Sequence, residues 1–193
     1  TKEPTVEGTS LVGTATEFGF DTGDGISALE ALSAQVVAGG ATGAVLASDK
    51  QTVAYLAANG VFVAQNGSDA RPPVDPRPGL AIPSMDPFRF VWSAQVASAA
   101  SLSSFEIDGT EHPIASGLPE DATVVSLDIS RDGARLLVYL ATPLGSRLVV
   151  AGIIRDRDNV PTALGVLEDL PVATTTPLDA TWVDNRTVAT VSQ

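Results

Sequence analysis

The chain of 193 residues sets 23 acidic against 11 basic side chains, a net charge of −12, with 44% hydrophobic and 18% charged residues and no cysteine. Such a chain folds and buries a core without covalent or metal staples, which excludes intrinsic disorder. Its acidity excludes nucleic acid as a partner and unaided adhesion to anionic lipid, and the lack of cysteine excludes disulfides, thiolate–zinc sites and thiol catalysis.

Residues 1–10, TKEPTVEGTS, are polar and turn-rich and read as a tail or linker ahead of a domain spanning 11–193. Thr1 does not open a signal peptide and no apolar run reaches the roughly 18 residues of a membrane span, so any membrane anchor is expected outside this chain. FGFDTGDGIS (18–27) has the Gly and Asp tip of a hairpin. Residues 26–38 fit two readings. Ile26, Leu29, Leu32, Val36 and Val37 make a helical stripe ended by Gly39-Gly40, whereas the surrounding sequence favours strands. From residue 44, AVLASDKQTVAYLA and GVFVAQNG read as strands closed by Asn59-Gly60 and Asn66-Gly67, pairs that tolerate positive φ. SDARPPVDPRPGLAIPSMDP (68–87), with six prolines, reads as an irregular crossing. Strand runs follow at FRFVWSAQ, SLSSFEID and HPIAS, then at TVVSLDIS, ARLLVYLA and SRLVVAGII. RDRDNVP (155–161) is a further turn, and LDATWVDNRTVATVS closes the chain.

Three of these stretches superpose: VLASDKQTVAYLA, LDISRDGARLLVYL and ATWVDNRTVATVS. Each is a short strand, an Asp-containing turn and a Val/Leu-rich strand; FRFVWSAQVASAASLSSFEI is a looser copy. Anchored on Leu46, Trp92, Ile129 and Trp182, the copies are 46, 37 and 53 residues apart, a mean of about 45, the length of a four-stranded propeller blade. The second strand of a blade is covered on both faces by its neighbours, which explains the continuous apolar run after SRDG. The expected fold is therefore all-β: a partial β-propeller of about four antiparallel blades, with units starting near 44, 90, 124 and 178, a fragment of a larger ring. A generic antiparallel sandwich is the alternative. An unclosed ring leaves a bare sheet edge, which predicts a homodimer through that edge or an N-terminal segment packed over it.

The same blocks carry a family resemblance. SMDPFRFVWSA (84–94), VVSLDISRDGARLLVYLATPLGSRLVVAGIIRDRDNVPTALG (124–165) and LDATWVDNRTVATVS (178–192) resemble, in that order, the C-terminal propeller domain of the LpqB lipoproteins of actinobacteria. The resemblance covers about residues 44–192, with ASDKQ (47–51) departing from it by lacking the blade-turn glycine. It implies an extracytoplasmic protein held to the cell membrane by an N-terminal lipid, whose cysteine lies outside this chain together with the GerMN module that precedes the propeller. It also implies a role beside the MtrA–MtrB two-component system, acting on the extracytoplasmic region of the sensor histidine kinase, and no catalytic residue.

The residues themselves offer little chemistry. His112 is the single histidine and reads as a loop residue, so no two-histidine metal site forms and a serine nucleophile has one base at most. No G-x-S-x-G is present. Glycosidase chemistry needs two facing carboxylates; Asp128 on a strand and Asp132 and Asp158 in turns are the candidates, and turn aspartates ordinarily bind their own backbone. DTGDG (21–25) and DRDN (156–159) are acidic hairpin tips rather than calcium loops, lacking the D-x-[DN]-x-[DN]-G spacing and distal Glu. Trp92 and Trp182 read as inner-strand residues packing between blades, with an exposed aromatic platform as the other reading. Arg131, Arg155 and Arg157 read as solvated turn charges, with contact to a partner from the rims as the other reading. The expected function is non-catalytic protein binding without cofactor or metal, with a cell-wall polymer scaffold and a glycan-cleaving propeller enzyme as rivals.

Overall fold

The computed structural model describes residues 9–13, 34–39, 41–49, 52–65, 72–171 and 177–192, and every regular element among them is a strand. β1 (Thr9–Gly13) pairs with β2 (Ala34–Gly39). β3 (Gly43–Leu46), β4 (Thr52–Ala57) and β5 (Gly60–Gln65) make a meander. β6 (Ser84–Met85), β7 (Val91–Gln95), β8 (Ser98–Phe105) and β9 (Glu111–Pro113) make the next. β10 (Thr123–Ile129), β11 (Arg135–Thr142), β12 (Gly145–Arg155) and β13 (Pro161–Leu164) follow, and β14 (Glu168–Leu170) pairs with another stretch of the long β12. β15 (Pro177–Trp182) and β16 (Val188–Ser192) form the last pair. All pairings between these strands are antiparallel, and each sheet touches the next through its first strand: β1 with β3, β3 with β6, β6 with β10, β10 with β15. This is the order of propeller blades, not closed into a ring among the described residues.

The expected blades are present, and β1–β2 adds a sheet ahead of the first repeat. Residues 34–39 of the ambiguous segment are strand; the hairpin expected at 18–27, residues 26–33 and Asn66-Gly67 lie outside the described residues.

The apolar run of β11 has the two-sided burial that its composition demands. Leu136, Val138 and Leu140 face a cluster with Trp92, Val124, Ile129 and Val149, while Leu137 and Tyr139 face Leu148, Ala180 and Trp182. Each such side chain fully removed from water contributes about 1.5–3 kcal/mol, so this one strand binds two neighbouring sheets.

One register expectation is corrected. Trp92 does not lie on the first strand of its blade; it is on β7, paired with Ser84 of β6. The true equivalent of Leu46, Ile129 and Trp182 is Met85, so this unit starts at Ser84. A strand of two residues has no alternation to read, and β6 hides at the end of the proline-rich run. The turns confirm the alignment. Arg89 and Gly133 hold the same position, with φ of 74° and 70°, and each donates its N–H three residues back, to the carbonyls of Asp86 and Ser130.

That run is also well anchored. Asp75, wholly buried, accepts from Arg77 Nη2 at 2.7 Å and from the Ser93 hydroxyl at 2.7 Å, while Arg77 Nη1 donates to the Ser101 carbonyl at 2.8 Å. Burial pushes the Asp75 carboxyl up, but the hydrogen bonds from Arg77 and Ser93 outweigh it and leave the carboxyl below the ordinary aspartate value of 3.8.

Arg155 likewise is not a solvated turn charge. Its Nη2 donates to buried Asp86 at 2.7 Å and to the Gly133 carbonyl at 3.1 Å, and its guanidinium lies 4.6 Å from the Phe88 ring centroid. It ties the β12 end of one blade to the β6–β7 turn of the preceding one.

Two predictions follow from these contacts. A Cβ at Gly133 would meet Pro87 at 2.8 Å in a left-handed turn, whereas at Gly152 it would meet nothing within 4 Å. In urea denaturation, Gly133→Ala is expected to lose about 1–3 kcal/mol and Gly152→Ala to stay within about 0.5 kcal/mol. Because the folded pKa of Asp75 lies below its unfolded value, its stabilisation is complete above about pH 4 and is lost as pH falls through the folded value. Asp75→Asn should therefore be less stable at neutral pH and show a shallower loss of stability below pH 3.8, read from urea midpoints across that range.

Candidate functional site

Each first strand ends in a turn, and four of these strand ends converge. Val45–Ser48, Met85 with Pro87, Asp128–Arg131 and Trp182–Asp184 line a half-open cleft of about 670 Å³ where the first strands meet. The repeat explains the convergence, since equivalent residues of successive blades take equivalent places about one axis.

Asp128 organises this cleft. Its Oδ1 accepts from the Ser84 hydroxyl at 3.1 Å, and its Oδ2 accepts from the Thr181 hydroxyl at 2.6 Å and the Trp182 N–H at 3.0 Å. The Asp128 carbonyl accepts from the Trp182 indole at 3.3 Å. Ser84 is on β6, Asp128 on β10, and Thr181 and Trp182 on β15, so one residue joins three blades. Ser84 also accepts from the Ile129 N–H at 3.0 Å.

The second acid of the cleft is engaged as well. Asp184 accepts from the N–H groups of Arg186 and Thr187, both at 2.7 Å, and from the Thr187 hydroxyl at 3.1 Å. Those backbone donors hold its carboxyl below the usual aspartate range. Ser130 donates to Asp132 at 2.6 Å and accepts from the Arg135 N–H at 3.0 Å. Asp132 also accepts from the Ala134 N–H, and the Ser130 hydroxyl first and this N–H next depress its pKa. Arg131 is exposed and makes no hydrogen bond or ion pair among the described residues. Chemically, the cleft offers one open cation, the half-buried Trp182, an apolar lining from Leu46, Met85, Ile129 and Val183, and two carboxylates that each already accept three hydrogen bonds.

The other candidates disperse. His112 lies on β9 rather than in a loop, its Nε2 3.0 Å from Glu106 Oε1 and its ring edge-on to Phe90. Trp92 is fully buried and donates its indole N–H to Asp86 at 3.0 Å. Asp156, not Asp158, caps its turn, accepting from the N–H groups of Asp158 and Val160 at 2.9 Å. Arg157 is exposed in that turn, and 21–25 lies outside the described residues. Among the described residues no three His, Asp or Glu side chains gather as a metal site. Sequence reasoning missed Ser84, Thr181 and Asp86. The signal available was an Asp or Ser flanking each strand end, weak because such residues are common in turns.

A family model described as the lipoprotein LpqB beta-propeller domain matches residues 20–193, reaching further towards the N-terminus than the sequence blocks quoted above. Among solved structures, Hsv2 from Kluyveromyces lactis superposes with a TM-score of 0.51 at 16% identity over 77% of this chain and 52% of Hsv2, a likeness of fold alone. The chain thus spans about half the length of that structure. No curated protein sequence matches it.

Replacing Asp128 removes the acceptor for three donors on two neighbouring blades. Asp128→Ala is expected to cost about 1–3 kcal/mol, and Asp128→Asn roughly half as much, since its amide keeps one acceptor oxygen. Urea unfolding followed through tryptophan fluorescence reads both values and reports on the Trp182 contact directly.

Proposed function

The chain belongs to the lipoprotein LpqB β-propeller domain family, and we propose that it serves as a non-catalytic, protein-binding module on the outer face of a cell membrane, where it modulates a sensor histidine kinase of MtrA–MtrB type. In the full-length protein an N-terminal lipid supplies the membrane anchor. One observation carries the non-catalytic part: each carboxylate of the cleft already accepts three structural donors. A glycosidase needs one protonated carboxylic acid beside a second free carboxylate. Asp184, held ionised by its own turn, is a poor acid, and Asp128 is occupied by three donors to its carboxylate. Binding requires neither.

The mechanism is a population shift. A rigid propeller face that binds one conformation of a kinase tenfold more tightly than another biases that equilibrium by about 1.4 kcal/mol, without transferring any group. Rigidity suits the task, because a face already ordered by inter-blade packing has little entropy left to lose on binding.

The test is calorimetry at physiological salt between the protein and the extracytoplasmic region of the cognate kinase. Saturable one-to-one binding is expected. Absence of binding, by this chain and by the full-length lipoprotein alike, overturns the kinase role and moves a cell-wall polymer scaffold to the front.

A further inference from the structure

We propose that the face of the β15–β16 sheet turned away from β11 docks the β1–β2 sheet of a second copy of this chain, so that two copies join head to tail through two such contacts. The inference stands apart from the kinase role and needs none of it.

A row of hydrogen bonds along the first strands carries it. Ser84, Asp128 and Thr181 precede Met85, Ile129 and Trp182, so they are equivalent residues of successive blades. At each junction the side-chain oxygen of one blade accepts the N–H that follows the equivalent residue of the next. Ser84 Oγ takes the Ile129 N–H at 3.0 Å, and Asp128 Oδ2 takes the Trp182 N–H at 3.0 Å. The row starts at Ser84 because Val45, the equivalent residue before it, has no side-chain acceptor. Ser84 shows that a hydroxyl can serve two bonds at once, donating to Asp128 while accepting from Ile129. Thr181 likewise gives its proton to Asp128, at 2.6 Å, yet it is exposed and its hydroxyl accepts nothing among the described residues. That oxygen is placed for the N–H of one more first strand.

Packing gives the same answer. The pairs Leu46–Val53, Met85–Val91, Ile129–Leu136 and Trp182–Val188 set the second strands in a common register. One residue on, Ala54, Trp92 and Leu137 face the following blade and are wholly buried, whereas Ala189 is exposed. Two residues further, Ala94 and Tyr139 are buried, whereas Val191 is 58% exposed. β15 and β16 nevertheless carry a single charged residue, Asp179. A sheet end left to solvent is ordinarily defended by charge.

A second copy is the occupant because the junction is one that this chain already makes. β1–β2 stands at the other end of the row, touching β3 as each first strand touches the next, and neither strand carries a charge. Placed after β15 of another copy, β1 continues that order. The arc matches about half of the Hsv2 chain, which leaves room in one turn for one further arc. A head-to-tail contact then closes at two copies instead of running on as a filament. For a chain of net charge −12, self-association demands uncharged contact surfaces, because like charges brought together across an interface are strongly unfavourable.

Size exclusion with light scattering, supported by sedimentation velocity, reads the mass. A species of twice 19.8 kDa is expected. Val191→Asp should raise its dissociation constant about 100-fold while keeping the circular dichroism of the unmodified chain, and Thr181→Ser, which keeps the hydroxyl, should remain dimeric. The cysteine-free sequence makes the orientation readable. Ser10→Cys carrying a nitroxide, mixed with isotope-labelled unmodified chain, should broaden the Thr181 amide and the Val191 methyls. A strictly monomeric chain overturns the proposal, as does a dimer indifferent to Val191→Asp. Broadening of the Val191 methyls by a label at Ala189→Cys but not by one at Ser10→Cys also overturns it, in favour of a two-fold contact of β16 with itself. A monomer that loses the kinase region on Val191→Asp overturns it too, and gives this face to the kinase. Kinase calorimetry on the unmodified chain reads the other role separately, so loss of the dimer and loss of that role are told apart.

Discussion

The Asp128 carboxylate lies where three blades meet, and the geometry of the axis depends on the three donors it accepts. It receives Ser84 from one side and Thr181 with the Trp182 N–H from the other, while its own carbonyl takes the Trp182 indole. Apolar packing between blades is non-directional and permits sliding. A charged acceptor with donors fixed on two neighbours does not, because charge-assisted hydrogen bonds tie register as well as energy. The cleft keeps its shape for that reason, and three of the four lone-pair positions of the Asp128 carboxylate are already engaged in it.

Around this point the blades are joined by burial on two faces. β11 is the clearest case: alternate side chains enter separate clusters, so a strand that would be amphipathic at a sheet surface is apolar throughout. β16 shows the contrary. Val188 packs into the cluster with Tyr139, whereas Val191 on the other face remains 58% exposed. A second layer of polar contacts lies farther out. Asp86 collects its own turn's N–H groups, the Trp92 indole and Arg155, and Arg155 reaches on to the Gly133 and Asn159 carbonyls. Truncating either partner of that buried pair would leave a charge uncompensated, which makes it a device of specificity between blades more than a surface ornament.

The turns translate this plan into sequence. Ser130-Arg131-Asp132-Gly133 and Asp86-Pro87-Phe88-Arg89 share one backbone course, yet one uses glycine in the left-handed position and the other an arginine. Glycine is required at 133 because the preceding blade's Pro87 and Phe88 press on it. At 89 the side chain instead reaches out to Asp49 of the blade before. The same fold position thus carries different residues according to what lies against it.

Strand content, the repeat and the two-sided second strand were legible in the chain itself, because alternation, Asn-Gly turns and apolar runs are local properties of consecutive residues. β6 was not, since two residues carry no period, and its loss displaced Trp92 onto the wrong strand. Arg155 read as solvent-facing because a turn sequence says nothing of the blade it abuts, and Asp128 read as a possible acid because its three donors come from residues 44 to 54 positions away. By itself, then, the sequence determined an acidic, cysteine-free, all-β, blade-repeating chain, as short-range patterning allows. Only the tertiary structure decided which charges are spent and which are open: hydrogen-bond partners meet across blades, and a carboxylate's availability depends on donors that no local pattern brings into view.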